Sequence, residues 1–327
     1  MVDLATVRIF EGENADMNES EQDEKIGNEY LYRALRLTVE CQDEYCKIKP
    51  GHGTGFIVRS HADGRPAGEH FLVTNRHVVD RTYSRSGRTP WGSSTLVSIR
   101  IDGYFQRPRY PNDLPERTSL TMSNPSPVYP TNEDLDVAVI ALPSSSDEGK
   151  PPERIFNSFP IMKLQSADEI MNGQIQVGSS LLMPGYPELA ELEVSDRPVL
   201  VGGWIASDPR YSASIMGVER PRRVLGHSFS RAGMSGAPAL GLLPAEIDWM
   251  GDPQGARVTL LGINTGHVHL SNEPSVISEF VPAPAILSTI AKAGDAFARS
   301  RVESALRRSA MEDVEVQDLW LPEPLSE

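Results

Sequence analysis

Residues 53–79, GTGFIVRSHADGRPAGEHFLVTNRHVV, decide the fold. Two runs rich in Val, Ile, Thr and Phe, GTGFIVRS (53–60) and HFLVTNRHVV (70–79), flank the segment HADGRPAGE. β-Branched and aromatic side chains fit a pleated surface, so each run reads as a strand and the Gly/Pro segment as a hairpin loop. Outward from this hairpin, STLVSIRI (94–101) and LDVAVIAL (135–142) have the same texture, which makes the first half all-β. A second series follows in GSSLLMPGYP (178–187), RPVLVGGWIAS (197–207), SGAPAL (235–240) and RVTLLGINTGHVHL (257–270). The Pro-, Ser- and charge-rich stretch 143–160 reads as the connector between the two series. Many short strands with turn signals between them indicate a sandwich or barrels.

The flanks differ. YLYRALRLTVE, from Tyr30, fits either a helix or a first strand. After VPAPAIL (281–287), Ile286, Leu287, Ile290, Phe297, Val302 and Leu306 recur at helical spacing, which predicts one C-terminal helix or two in succession. Residues 11–25 and 311–327 carry much of the net charge of -14 on the 327-residue chain, and both ends read as solvated acidic arms. An apolar content of 39% is ordinary for a globular core. No apolar stretch follows a basic start and none approaches the roughly 20 residues that span a bilayer, so the expectation is a soluble, cytoplasmic protein without a membrane partner. Cys41 and Cys46 are too few for a disulfide framework and read as free thiols.

Three segments carry the elements of nucleophilic catalysis by a serine: a hydroxyl on a tight turn, a base that titrates near neutrality, and a carboxylate that orients the base. In RAGMSGAPAL (231–240), Gly233 and Gly236 allow a sharp turn that exposes Ser235 and points the amides of Gly233 and Ser235 at one oxygen, as an oxyanion hole requires. His77 stands at the end of the apolar run 70–79, and an imidazole with an ordinary pKa of about 6.5 accepts a proton at pH 7. Asp136 directly precedes an apolar strand able to bury it against the imidazole, with Asp134 as the nearby alternative. Each residue alone also has a plain structural reading, as a turn serine, a strand-end histidine or a strand-start acid.

Taken together, GTGFIV, LVTNRHVV, LDVAVIAL and GMSGAPAL resemble, in order, segments of the trypsin-like serine peptidases, and most closely the bacterial branch that includes the heat-stress proteases. The resemblance extends over about residues 51–285 and includes FPIMKLQSADEIMNGQIQVGSSLLMPGYP (159–187) and LLGINTG (260–266). It implies two six-stranded antiparallel β-barrels followed by a C-terminal helix. Barrel one would occupy about residues 28–145, barrel two about 160–283 and the helix about 284–310, between an acidic arm 1–27 and an acidic tail 311–327. It further implies His77, Asp136 and Ser235 as a catalytic triad, Gly233 and Ser235 as oxyanion donors, and Ile263, Asn264, Thr265 and Gly266 as the strand on which substrate backbone pairs. Phe229 and Ser230, in HSFSRAG (227–233), fall where relatives form the primary specificity pocket.

The departures are informative. Ala237 stands where the branch usually has a second glycine, and Met234 stands where digestive relatives carry an aspartate. No Ile-Val-Gly-Gly start is present, so activation by a freed amine is not expected, and too few residues follow position 285 for an appended peptide-binding domain. The expected activity is peptide-bond hydrolysis on a protein or peptide substrate, with no cofactor and with a possible regulatory protein partner. A catalytically silent peptide-binding module is the competing reading, and an esterase lacks the G-x-S-x-G elbow because Ala237 fills its last position. His267 and His269 lack a third ligand nearby in sequence and read as strand residues, so no metal site is expected. The arginines between Arg76 and Arg117 alternate with acids and read as a solvated face, so no nucleic-acid partner is expected.

Overall fold

The computed structural model describes residues 30–60, 69–83, 94–105, 114–144, 152, 156–164, 170, 172–188, 197–215, 218–220, 222–243, 257–270 and 273–307. The expected acidic arm and tail lie outside these residues, as does most of the connector before position 156.

The segment that fitted helix or strand resolves into strand β1 (Leu35–Asp43). Its apolar residues Leu35, Leu37, Val39 and Cys41 alternate inward while Arg36, Thr38, Glu40 and Gln42 face outward, the period of a half-buried strand. β1 pairs antiparallel with β2 (Ile48–Arg59) on one side and β4 (Ser94–Phe105) on the other. β3 (His70–Thr74) pairs with β2, β5 (Glu116–Ser123) with β4, and β6 (Ala138–Ala141) with β3. The path is therefore β5-β4-β1-β2-β3-β6.

This first sheet does not close into the barrel that the resemblance implied. Only an isolated bridge between Val128 and Val139 brings the chain after β5 to β6. Pro125, Pro127 and Pro130 lie in that segment, and residues without an N–H cannot build a ladder there. The connector also departs from the antiparallel plan, because β7 (Ser158–Pro160) adds in parallel to the far end of β2.

The second half forms the expected closed barrel. β8 (Ser180–Gly185), β9 (Val199–Ile205), β12 (Val224–Ser228), β13 (Pro238–Leu243), β14 (Arg257–Leu270) and β15 (Glu273–Pro282) run round it in the order β12-β15-β14-β13-β8-β9. A separate hairpin, β10 (Ala213–Ile215) with β11 (Val218–Arg220), lies off this ring. Leu181, Met183, Val224, Ala239, Leu261 and Phe280 fill the interior.

Continuous apolar runs such as GFIV and HFLV arise because both faces of their strands are covered. Ile57, Leu72 and Ile140 point into the first sheet's core with Leu37, Ile99 and Ile101. Their neighbours Phe56, Val58, Phe71, Val73 and Val139 point the other way, into a shared core with Leu240, Leu260, Ile263 and Val281 of the barrel. Full burial of such a side chain contributes about 1.5–3 kcal/mol, so this shared core holds the two halves in one arrangement.

The C-terminal helical pattern forms α2 (Ala283–Ala293) and α3 (Ala296–Arg307), two helices rather than one. The Gly294 amide closes the first on Ile290 O at 2.8 Å, and Asp295 Oδ1 accepts the Ala298 amide at 2.8 Å as N-cap of the second. Ile286, Leu287, Ile290, Ala298 and Val302 join the shared core. Cys41 is buried in the first sheet and Cys46 is exposed in the turn after it.

Candidate active site

The antiparallel register of β3 on β6 sets Thr74 opposite Ala138. His77, three residues beyond Thr74, and Asp136, two residues before Ala138, therefore emerge at the same end of adjacent strands. His77 does not extend the strand, as the sequence suggested. It sits in the one-turn helix α1 (Arg76–Val79), whose Val78 and Val79 are buried in the first sheet's core. Arg76 is held beside it by Asp80 at 3.1 Å and by the rings of Tyr83 and Tyr129 at 4.7 and 4.5 Å.

Asp136 is 0% exposed, and its carboxylate meets His77 with both oxygens. Oδ2 lies 2.6 Å from the imidazole Nδ1, and Oδ1 accepts the His77 backbone amide at 3.0 Å. The Asn75 side chain donates to the Asp136 carbonyl at 2.7 Å and ties the residue before α1 to the same turn. Asp134, the alternative from sequence, is exposed and its amide closes a local turn on Asn132 Oδ1. The contact with His77 thus belongs to Asp136.

Ser235 is 9% exposed and rides on the loop between β12 and β13. Gly233 and Gly236 take φ of 84° and 91°, left-handed values that favour glycine. A Cβ on Gly233 would fall 2.3 Å from the Tyr186 carbonyl, and one on Gly236 1.9 Å from the Thr54 carbonyl. Met234 is fully buried among Ile175, Met183 and Phe280, with its sulfur close against Gly185. Packing of this thioether anchors the loop.

The carbonyls from Arg231 to Ser235 are all engaged. Ala232 O accepts from the Glu188 amide at 2.7 Å and Gly233 O from the Thr54 hydroxyl at 2.6 Å. Met234 O accepts from Asn264 Nδ2 at 2.8 Å and the Ala237 amide at 3.0 Å, and Ser235 O from the Thr54 amide at 2.8 Å. The amides of Met234 and Gly236 donate to Arg231 O and Asn264 O. Among the described residues, the backbone N–H groups of Gly233 and Ser235 donate to no carbonyl. A trans peptide points its N–H opposite its C=O, so the engaged carbonyls fix the direction of both amides.

The expected substrate strand divides in two. Ile263 is paired on both sides, to Pro238 and Val281, and the Asn264 backbone is engaged with Ala237 O and Gly236 N. Ile263 and Asn264 are thus part of the barrel wall and the serine loop's support. Beyond them β14 keeps β15 on one side, and Thr265 and Gly266 lie at a register shift where the ladder with β13 has ended. Thr265 is buried and its hydroxyl donates to Glu279 O at 3.0 Å.

Ser230 is buried and accepts from Asn264 Nδ2 at 3.1 Å, whereas Phe229 is 48% exposed with the Arg231 guanidinium 4.1 Å above its ring. Nearby, Arg223 pairs with buried Glu279 at 3.1 Å and also donates to the Asp134 carbonyl, linking the barrel wall to the aspartate turn. Thr54, Asn75 and the Arg223–Glu279 pair escaped the sequence reading, although Thr54 and Asn75 lie within the motifs GTGFIV and LVTNRHVV.

His267 is half-buried and the side chain of His269 lies outside the described ones. Among the described residues no group of three or more His, Cys, Asp or Glu is arranged to hold a metal ion, and no helix is long and apolar enough to cross a membrane. Arg100 pairs with Asp102 at 3.1 Å as Arg76 does with Asp80, while Arg85, Arg88, Arg107 and Arg109 lie outside the described residues.

No family profile matches the sequence, and no curated protein matches it either. A solved structure titled "Crystal structure of Deg5" is similar over 84% of this chain and 95% of its own, at 14% identity and a TM-score of 0.44.

Proposed function

We propose that the chain is a serine endopeptidase of the trypsin-like kind, acting on a protein or peptide through an acyl-enzyme. The observation that carries this reading is the buried Asp136 carboxylate on His77 Nδ1 at 2.6 Å, beside a serine loop in which the amides of Gly233 and Ser235 donate to no backbone carbonyl among the described residues. A carboxylate accepts at Nδ1, so the neutral ring carries its proton there and presents Nε2 as a base. Ser235 Oγ attacks the scissile carbonyl and gives its proton to Nε2. The developing oxyanion is received by the Gly233 and Ser235 amides, and His77 then protonates the leaving amine. Water enters by the same route in reverse and releases the acyl group. Where the ladder between β14 and β13 ends, at Thr265 and Gly266, the substrate backbone adds as a strand.

The reading places the enzyme in the cytoplasm, without a cofactor and with the acidic segments outside the catalytic fold. Turnover of a proteome-derived peptide library by the full chain tests it. His77→Ala should abolish cleavage, and cleavage undiminished in that variant would contradict the role of His77. A catalytically silent peptide-binding module is the second reading, favoured by the same end of the β13–β14 ladder. Peptide binding by the full chain without turnover would support it.

A further inference from the structure

Thr54 belongs to β2 of the first sheet, yet it makes more polar contacts with the serine loop and its supporting turn than with its own strand neighbours' side chains. It is fully buried. Its hydroxyl donates to Gly233 O at 2.6 Å and accepts from the Tyr186 amide at 3.2 Å, which uses both functions of a hydroxyl. Its amide donates to Ser235 O at 2.8 Å, and its carbonyl accepts from the Thr74 hydroxyl at 2.8 Å.

We infer that Thr54 is a positioning residue for the oxyanion site: its hydroxyl locks the Gly233 carbonyl and the Tyr186–Glu188 turn that holds Ala232 O, and so aims the Gly233 N–H, while the Ser235 N–H is set through Met234 O by Asn264. This rests on reading the site as a serine peptidase. The Gly233–Met234 peptide is held at both ends, by Thr54 at its oxygen and by Arg231 O at its N–H. The preceding peptide, which carries the Gly233 N–H, is held through Ala232 O by the Glu188 amide, two residues beyond the Tyr186 amide that Thr54 accepts. Glycine at 233 meets little steric resistance to rotation of these planes, so polar contacts must supply the hold. Met234 anchors its own side chain in the barrel but offers no charge that would fix the planes. Valine at 54 keeps the shape and removes both hydroxyl contacts, whereas serine keeps them.

The test compares full-length wild type, Thr54→Val and Thr54→Ser in peptide turnover, in affinity for a peptidyl boronic acid, and in the ¹⁵N–¹H signals of Gly233 and Ser235. Thr54→Val should lower kcat about 10- to 100-fold with KM little changed, weaken the boronic acid by a similar factor and displace the Gly233 amide signal more than that of Ser235. Thr54→Ser should stay within about threefold of wild type. Wild-type kcat and boronic-acid affinity in Thr54→Val, or equal losses in the serine variant, would overturn the inference. If wild type itself turns over no peptide, the peptidase reading falls separately. The amide signals then decide: displacement in Thr54→Val supports the positioning role and unmoved signals overturn it.

Discussion

The Asp136 carboxylate grips His77 at two points, the imidazole Nδ1 at 2.6 Å and the backbone amide at 3.0 Å. Two contacts from one rigid group fix both the position of α1 and the plane of the ring. Because the carboxylate is fully buried, water does not compete for the imidazole proton. The same geometry separates the two acids that sequence left open, since Asp134 faces solvent.

Asp136→Asn should lower turnover about 10⁴-fold, because the amide can donate to Nδ1 and stabilise the wrong tautomer. Asp134→Asn should remain near wild type, since only backbone atoms of Asp134 take part in the contacts with Asn132 and Arg223. Steady-state kinetics on one peptide checks both, and the reverse ranking would contradict the assignment.

Much of this was legible because strand patterning and site chemistry coincide in the same segments. GTGFIV and LVTNRHVV announce strands by their side chains, and Gly233 and Gly236 announce a turn that only their φ values explain. What the sequence concealed were consequences of register and of missing donors. Three prolines between β5 and β6 keep the first sheet open. His77 turns into a helix once β3 ends at Thr74. Asn264 looks like any polar strand residue, and its support of Met234 and Ser230 depends on a loop distant in sequence.

The Arg223–Glu279 pair gives a stability prediction. Both side chains are nearly inaccessible, so Arg223→Met takes the guanidinium away from a buried carboxylate and should cost about 3–5 kcal/mol in urea unfolding. Arg223→Met with Glu279→Leu should recover most of that loss. Equal destabilisation in the single and double variants would contradict the account.

Glu69 predicts a pH effect at the hinge between α2 and α3. Burial holds its carboxyl above the ordinary value of 4.5 and the Asp295 charge adds to this, while the Asp295 amide, donating at 2.8 Å, works in the opposite direction. A raised folded value means that the folded state binds the proton more tightly. Its contribution is therefore full below pH 4.5 and is lost as pH rises through the higher folded value. Relative to Glu69→Gln, wild type should lose stability as pH rises from 4.5, measured by chemical unfolding across that range. Parallel pH curves for the two proteins would count against it.

The segment where the resemblance implies the specificity pocket offers no acid to a basic substrate side chain. Phe229 and Ser230 supply no carboxylate, and Glu279, next to the Ser278 hydroxyl that meets Ser228 at 2.6 Å, is already matched by Arg223. Small or medium apolar side chains should precede the cleaved bond in library profiling. Cleavage concentrated after Arg or Lys would show another source of negative charge.

If Ser235 is a nucleophile activated by His77, intact-mass analysis after exposure to a fluorophosphonate reports it directly. Wild type should gain one phosphonyl group that maps to Ser235, and Ser235→Ala should gain none while keeping the wild-type circular dichroism spectrum. An unlabelled wild type, or equal labelling of Ser235→Ala, would contradict the account.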